Sequence, residues 1–145
     1  MRRIALLVLI LLLFSFGFSY SSEFKSGEYV LRKKTEVAVG AKFIKVPIEG
    51  GMEIKMLDQK RFKFDINTVN TSNFAVCDVE GIAEIVAENK AIFKDQETKC
   101  VIEFLAKKNG VEVRPKGENC QYCGMGAVFD GLYVKAPAKK KVRKK

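Results

Sequence analysis

Apolar and polar residues alternate along most of the chain after residue 21, and this alternation predicts β-strands. Phe62, Phe64 and Ile66 alternate with polar residues, which is the pattern of a strand with one buried face and one solvated face. The other segments that we predict as strands are residues 28–34, 44–48, 54–56, 74–87, 91–94, 100–106, 111–115 and 127–134. No long helical period follows residue 21, so the pattern favours an all-β domain.

Turn-forming pairs separate these segments. They are Gly50-Gly51, Asp58-Gln59, Glu88-Asn89, Asp95-Gln96 and Asn109-Gly110. Short strands that recur between such turns are typical of antiparallel sandwiches and barrels. Gly81 lies in the middle of the longest predicted strand, where it indicates a bulge or a sharp bend. We therefore predict a small antiparallel β-barrel or sandwich over residues 22–135.

The first 21 residues have the organisation of a signal peptide. Two arginines precede an apolar run at residues 4–14, and Ser19 and Ser21 bracket Tyr20 in the small-residue pattern that a signal peptidase reads. The run is shorter than the ~20 apolar residues of a membrane-spanning helix. We predict that residues 1–21 are removed, and that the mature protein is periplasmic or secreted with no transmembrane segment. An uncleaved leader that serves as an anchor is the alternative.

Positive charge is concentrated at the C terminus. The chain has 26 Lys and Arg against 17 Asp and Glu, a formal charge of +9. Six of these cations occupy the end of the chain, at Lys139, Lys140, Lys141, Arg143, Lys144 and Lys145. Residues 22–138 are nearly neutral, with 18 basic residues against 17 acidic ones, so we expect no nucleic-acid partner. We predict that residues 136–145 are a flexible tail that binds anionic lipid or an anionic envelope polymer.

Export changes the interpretation of the four cysteines, because an oxidising compartment favours two disulfides among them. Four cysteines allow three pairings, and spacing alone does not choose between them. Asn109-Gly110 predicts a hairpin that folds the strand from Cys100 back against the segment just before Cys120. We therefore predict Cys100–Cys120, which leaves Cys77–Cys123.

Catalytic and metal chemistry are weakly indicated. Cys120 and Cys123 have the spacing of thiol oxidoreductases, but no helix or βαβ unit is predicted around them. A four-cysteine zinc site would more often show two such pairs. Asp78 and Glu80 share one face of a predicted strand, where a solvated face is the simpler interpretation than an acid–base pair. The chain contains no His, and we expect no cofactor, no metal and no enzymatic activity.

Four segments in the C-terminal half share one recognisable pattern. They are AVCDVEGIA at 75–83, CVIEF at 100–104, CQYCG at 120–124 and FDGLY at 129–133. This pattern resembles that of small exported bacterial proteins that are uncharacterised or lysozyme-inhibitor-like. The resemblance covers somewhat less than half of the mature chain, and the cysteine framework is its specific part. It implies an exported β-barrel. The better-known periplasmic inhibitors of c-type lysozyme are barrels that insert a loop into the enzyme's cleft, although a basic tail opposes charge complementarity to a basic lysozyme.

The leading functional prediction is an exported, non-enzymatic binding module of the bacterial envelope, with lysozyme inhibition as one specific form. Its partner would be a protein, or an anionic envelope polymer or lipid. One alternative is a thiol–disulfide oxidoreductase that uses Cys120 and Cys123. Another is a structural envelope protein that the basic tail tethers to an anionic polymer.

Overall fold

A computed structural model of the chain describes residues 22–117 and 120–137. Within these residues eight strands occur: β1 (Gly27–Val39), β2 (Lys42–Met56), β3 (Arg61–Asn70), β4 (Val76–Ala87), β5 (Lys90–Lys94), β6 (Val101–Lys107), β7 (Gly110–Lys116) and β8 (Gly131–Lys135). Each strand pairs antiparallel with the next, and β8 pairs with β1, so the sheet closes into a barrel. The predicted all-β antiparallel fold is confirmed, and closure makes it a barrel.

The period-two pattern places one set of side chains inside the barrel. In β3 the side chains of Phe62, Phe64 and Ile66 are buried while those between them are exposed. The ring of Phe104 packs against both phenylalanines, with centroid distances of 5.5 and 4.8 Å. Burial of each such side chain contributes about 2–3 kcal/mol, so these contacts form a packed core that fills the barrel interior.

The strand order sends the connections to two opposite ends of the barrel. The loop end carries residues 40–41, 71–75, 95–100 and 120–130. The terminal end carries the turns at 57–60, 88–89 and 108–109, together with the first and last described residues, Ser22 and Pro137. Phe24 packs on Phe62 beneath the terminal end, with ring centroids 5.1 Å apart.

The outer part of the β1–β2 hairpin extends beyond the barrel wall. Pairing between β8 and β1 stops at Leu31, and pairing between β3 and β2 stops at Ile48. Residues 32–47 therefore pair only with each other, up to the turn at Gly40. This two-stranded ribbon projects from the loop end.

The turn predicted at Gly50-Gly51 is wrong, because β2 runs unbroken through both residues. Gly50 faces β3, and a Cβ atom there would lie 2.2 Å from the backbone oxygen of Asn67. The glycine thus provides close contact between two strands, a use that the sequence signal does not distinguish from a turn.

The bulge predicted at Gly81 is also wrong. Gly81 keeps a regular register opposite Phe64, and its missing side chain leaves room for the ring of Phe93, which a Cβ atom would approach to 2.5 Å. The register shift in β4 lies further along, between Ile85 and Ala87.

Candidate functional site

Both disulfides lie at the loop end. Cys77 at the start of β4 bonds to Cys123, and Cys100 before β6 bonds to Cys120. The predicted pairing is therefore confirmed. Together the two bonds fasten the long connection between β7 and β8 to two separate parts of the barrel wall.

This pairing bears directly on the CxxC motif. Cys120 and Cys123 have different partners, and no cysteine of the chain is a free thiol. A dithiol enzyme cycles the bond between its two motif cysteines, whereas here each motif cysteine bonds to a cysteine outside the motif, at the start of β4 or just before β6. The arrangement also leaves no thiolate pair to serve as zinc ligands. In this structure the motif contributes one cysteine to each of the two disulfides.

Hydrogen bonds from the end of β3 hold the same connection. The buried side chains of Thr68 and Asn70 donate to the carbonyl oxygens of Val128 and Gly126, each at 2.8 Å. Asn73 donates to the carbonyl oxygen of Met125 at 2.9 Å. Buried polar groups in native proteins are satisfied in this way, and these bonds fix the two loops against each other.

Two large apolar side chains project from these fixed loops. Phe74 is 80% exposed and Met125 is 91% exposed, and Asn73 links their loops through its bond to the Met125 carbonyl. Phe74 also has a φ of 57°, which is unusual for a bulky residue and costs about 1–3 kcal/mol. A strained, exposed aromatic residue on a braced loop is a feature that stability does not require.

The ribbon adds apolar surface at the same end. Phe43 is 77% exposed and Ile44 is 45% exposed. The base of the ribbon contacts the loop that carries Phe74, because the carbonyl oxygen of Pro47 accepts hydrogen bonds from the backbone and the hydroxyl of Thr71, at 3.2 and 3.1 Å. Apolar anchors from three separate segments therefore occupy one end of the barrel.

Asp95 joins the β5–β6 turn to the motif segment. Its carboxylate accepts hydrogen bonds from the hydroxyls of Tyr122 and Thr98 and from the backbone of Glu97. The Tyr122 bond is the largest cause that lowers the pKa of Asp95 from its ordinary value of 3.8 to about 2. Burial and the neighbouring carboxylate raise the pKa of Tyr122 in turn. The hydrogen bond between Asp95 and Tyr122 holds the Tyr122 side chain in place between the two disulfide-bonded cysteines.

We expect Asp95→Asn to lower the unfolding midpoint at neutral pH and to lose this effect in acid. The carboxylate has a lower pKa folded (about 2) than its ordinary value of 3.8, so its stabilisation is complete above about pH 4 and is lost as the pH falls toward 2. Urea unfolding of wild type and variant from pH 7 to pH 2 measures the difference. Tyr122→Phe should move the loss toward pH 4, and a difference that stays constant down to pH 2 would contradict the assignment.

The two carboxylates considered as an acid–base pair, Asp78 and Glu80, do not form a catalytic site. Both are exposed on the outer face of β4, and Glu80 forms a surface ion pair with Lys63 at 3.1 Å.

A groove of about 760 Å³ lies on the outside of β1 and β8 over Val30, Leu132 and Val134. In the part of the chain that the structure describes, no cluster of metal-ligating side chains is present.

The cations predicted to bind an anionic surface lie outside the described residues, which end at Pro137. Sequence reasoning missed Phe74, which it placed in a strand although β4 begins at Val76. It also did not predict Met125 as a site residue. The run Asn70-Thr71-Ser72-Asn73 is the signal that could have indicated a side-chain-capped loop before Phe74.

Comparison of the chain with protein-family models, curated proteins and solved structures gives no match. None of the described residues belongs to a helix with the length and apolar character of a membrane span.

Proposed function

We propose that this protein is an exported, non-enzymatic binding module that engages a protein partner with the loop end of its barrel. The observation that carries the proposal is the pair Phe74 and Met125, two almost fully exposed side chains on loops that hydrogen bonds and a disulfide hold in place. The two disulfides support a compartment outside the reducing cytoplasm. We therefore also propose that the protein is periplasmic or secreted.

Rigid presentation is what makes these residues suitable as anchors. A partner that buries a large side chain gains apolar contact area, but it also has to order any mobile loop that carries the side chain. The bonds of Asn70 and Asn73 have already ordered these loops. A few buried anchors commonly supply most of the binding energy at protein interfaces.

The resemblance to lysozyme-inhibitor-like proteins provides a specific partner to test, a c-type lysozyme with its open cleft. The basic tail would begin at the end of the barrel opposite to the loop end, which reduces its repulsion of a basic partner. The described chain ends at Pro137 on the terminal end, and β6 alone, at seven residues, spans roughly 20 Å between the two ends. That distance exceeds the Debye length of about 8 Å at physiological ionic strength.

We expect the mature protein to inhibit c-type lysozyme, and Phe74→Ala to weaken the inhibition. Loss of a central aromatic anchor costs about 2 kcal/mol or more, roughly 30-fold in the inhibition constant, and Met125→Ala should cost about tenfold. Both side chains are exposed, so neither change should lower the thermal midpoint. Inhibition of cell-wall hydrolysis at several inhibitor concentrations gives the constants.

Leu57→Ala is the matched control, because Leu57 is 46% exposed on a turn at the terminal end. It should leave the inhibition constant unchanged. Absence of inhibition by the wild-type protein would reject the inhibitor-like form of the proposal. Equal inhibition by wild type and Phe74→Ala would reject the loop end as the contact surface.

A further inference from the structure

Four lysines surround a small pocket at the terminal end. The pocket has a volume of about 180 Å³ and is lined by Lys25, Lys107, Lys108 and Lys135, with Glu23 as the acidic residue in its wall. These lysines come from the segment before β1, the end of β6 with the turn after it, and the end of β8. We call this the lysine pocket. Sequence analysis did not indicate it, because its residues are scattered along the chain.

Hydrogen bonds to backbone carbonyl oxygens fix the elements that form the lysine pocket. The hydroxyl of Tyr29 donates to the carbonyl oxygen of Lys25 at 2.7 Å. The backbone of Lys135 donates to the carbonyl oxygen of Asn109 at 3.1 Å. The fold therefore sets the backbone positions from which these lysines reach the pocket.

The positive charge of the pocket is only partly balanced. Lys107 pairs with Glu112 at 3.3 Å. Across residues 22–117 and 120–137, no ion pair involves Lys25, Lys108 or Lys135. Clustered like charges repel each other, and an anion that approaches them relieves this repulsion. The pocket size suits a single phosphate-sized group.

We propose that the lysine pocket binds the phosphate of an anionic phospholipid headgroup and so docks the terminal end of the barrel on an anionic bilayer. A bilayer fits better than a free anion for a topological reason. The described chain both begins and ends at this end of the barrel. The six cations that follow Pro137 in the sequence would therefore start from the same end as the lysine pocket, and an extended anionic surface could attract both groups of charges.

Docking in this way would orient the molecule. With the terminal end on the bilayer, the loop end with Phe74 and Met125 faces away from the membrane, open to a partner. This inference goes beyond the proposed function and does not rest on it, because the two surfaces lie at opposite ends.

The test is the binding of the mature chain to vesicles of phosphatidylcholine with and without phosphatidylglycerol, at low and high salt. The double variant Lys25→Glu/Lys108→Glu removes two cations from the pocket. Each lysine near an anionic surface contributes about fivefold in affinity, so we expect a loss of about 25-fold or more. A chain that ends at Ala138 is measured in parallel, since the closed barrel is complete within Ser22–Pro137. It should still bind the anionic vesicles, more weakly, and lose that binding in the double variant.

Lys42→Glu/Lys45→Glu is the charge-matched control, because both lysines are exposed on the ribbon at the opposite end. Its affinity should stay within about twofold of wild type, since its charges lie beyond a Debye length from the docked surface. Equal losses in the two double variants would overturn the proposal. Failure of the chain ending at Ala138 to bind anionic vesicles would also overturn it. Saturable binding of inorganic phosphate without vesicle binding would overturn the bilayer in favour of a small free anion.

Discussion

Removal of the Cys77–Cys123 bond by a Cys77→Ala/Cys123→Ala double substitution is expected to lower the free energy of unfolding by about 4 kcal/mol. The bond closes a loop with a sequence separation of 46 residues. In the chain-entropy model a cross-link of this span restricts the unfolded chain by about that amount. The loss is a large part of the 5–15 kcal/mol that is typical of a small domain. Equilibrium unfolding in urea under non-reducing conditions measures it.

The second bond provides the internal comparison. Cys100–Cys120 spans 20 residues, so Cys100→Ala/Cys120→Ala should cost about 3 kcal/mol, somewhat less than the first pair. Alanine is used in both cases to avoid a free thiol that could exchange. A loss below about 1 kcal/mol for both pairs would contradict the chain-entropy estimate for this protein.

The two losses should also differ in their effect on the loop end. Cys123 lies beside the segment of Met125, whose backbone Asn73 holds. Loss of the bond to Cys77 frees this segment at one end. The first double substitution should therefore weaken partner binding more than the second, measured under conditions in which both variants remain folded.

The buried faces of the strands and the Cys100–Cys120 pair could be predicted because both depend on local pattern, and Cys77–Cys123 followed as the remaining pair. Phe62, Phe64 and Ile66 each fall on the buried face that their alternation indicated. The Asn109-Gly110 hairpin brought Cys100 toward Cys120 because β6 and β7 are adjacent in sequence.

Closure and the binding surfaces could not be predicted in the same way. The pairing of β8 with β1 joins residues about a hundred positions apart, as in Val30 opposite Val134. No local signal distinguishes that pairing from a sandwich. The lysine pocket likewise joins three distant segments, and the exposure of Phe74 depends on contacts made by Asn70 and Asn73.

Gly50→Ala is expected to cost about 3 kcal/mol of unfolding free energy, whereas Gly51→Ala should cost less than about 1 kcal/mol. A Cβ atom at Gly50 would lie 2.2 Å from the backbone oxygen of Asn67 and 2.6 Å from the Cα atom of Thr68. Backbone atoms cannot move aside as a side chain can, so β2 would have to part from β3 at this point. At Gly51 the nearest atom, the backbone oxygen of Tyr29, would lie 3.3 Å away. A small shift there would be offset by the lower entropy that alanine gives the unfolded chain.

Urea unfolding of the two variants, which differ only in the position of one methyl group, decides between a strand and a turn at these residues. Equal, small costs at both positions would restore the turn that the Gly50-Gly51 pair suggested.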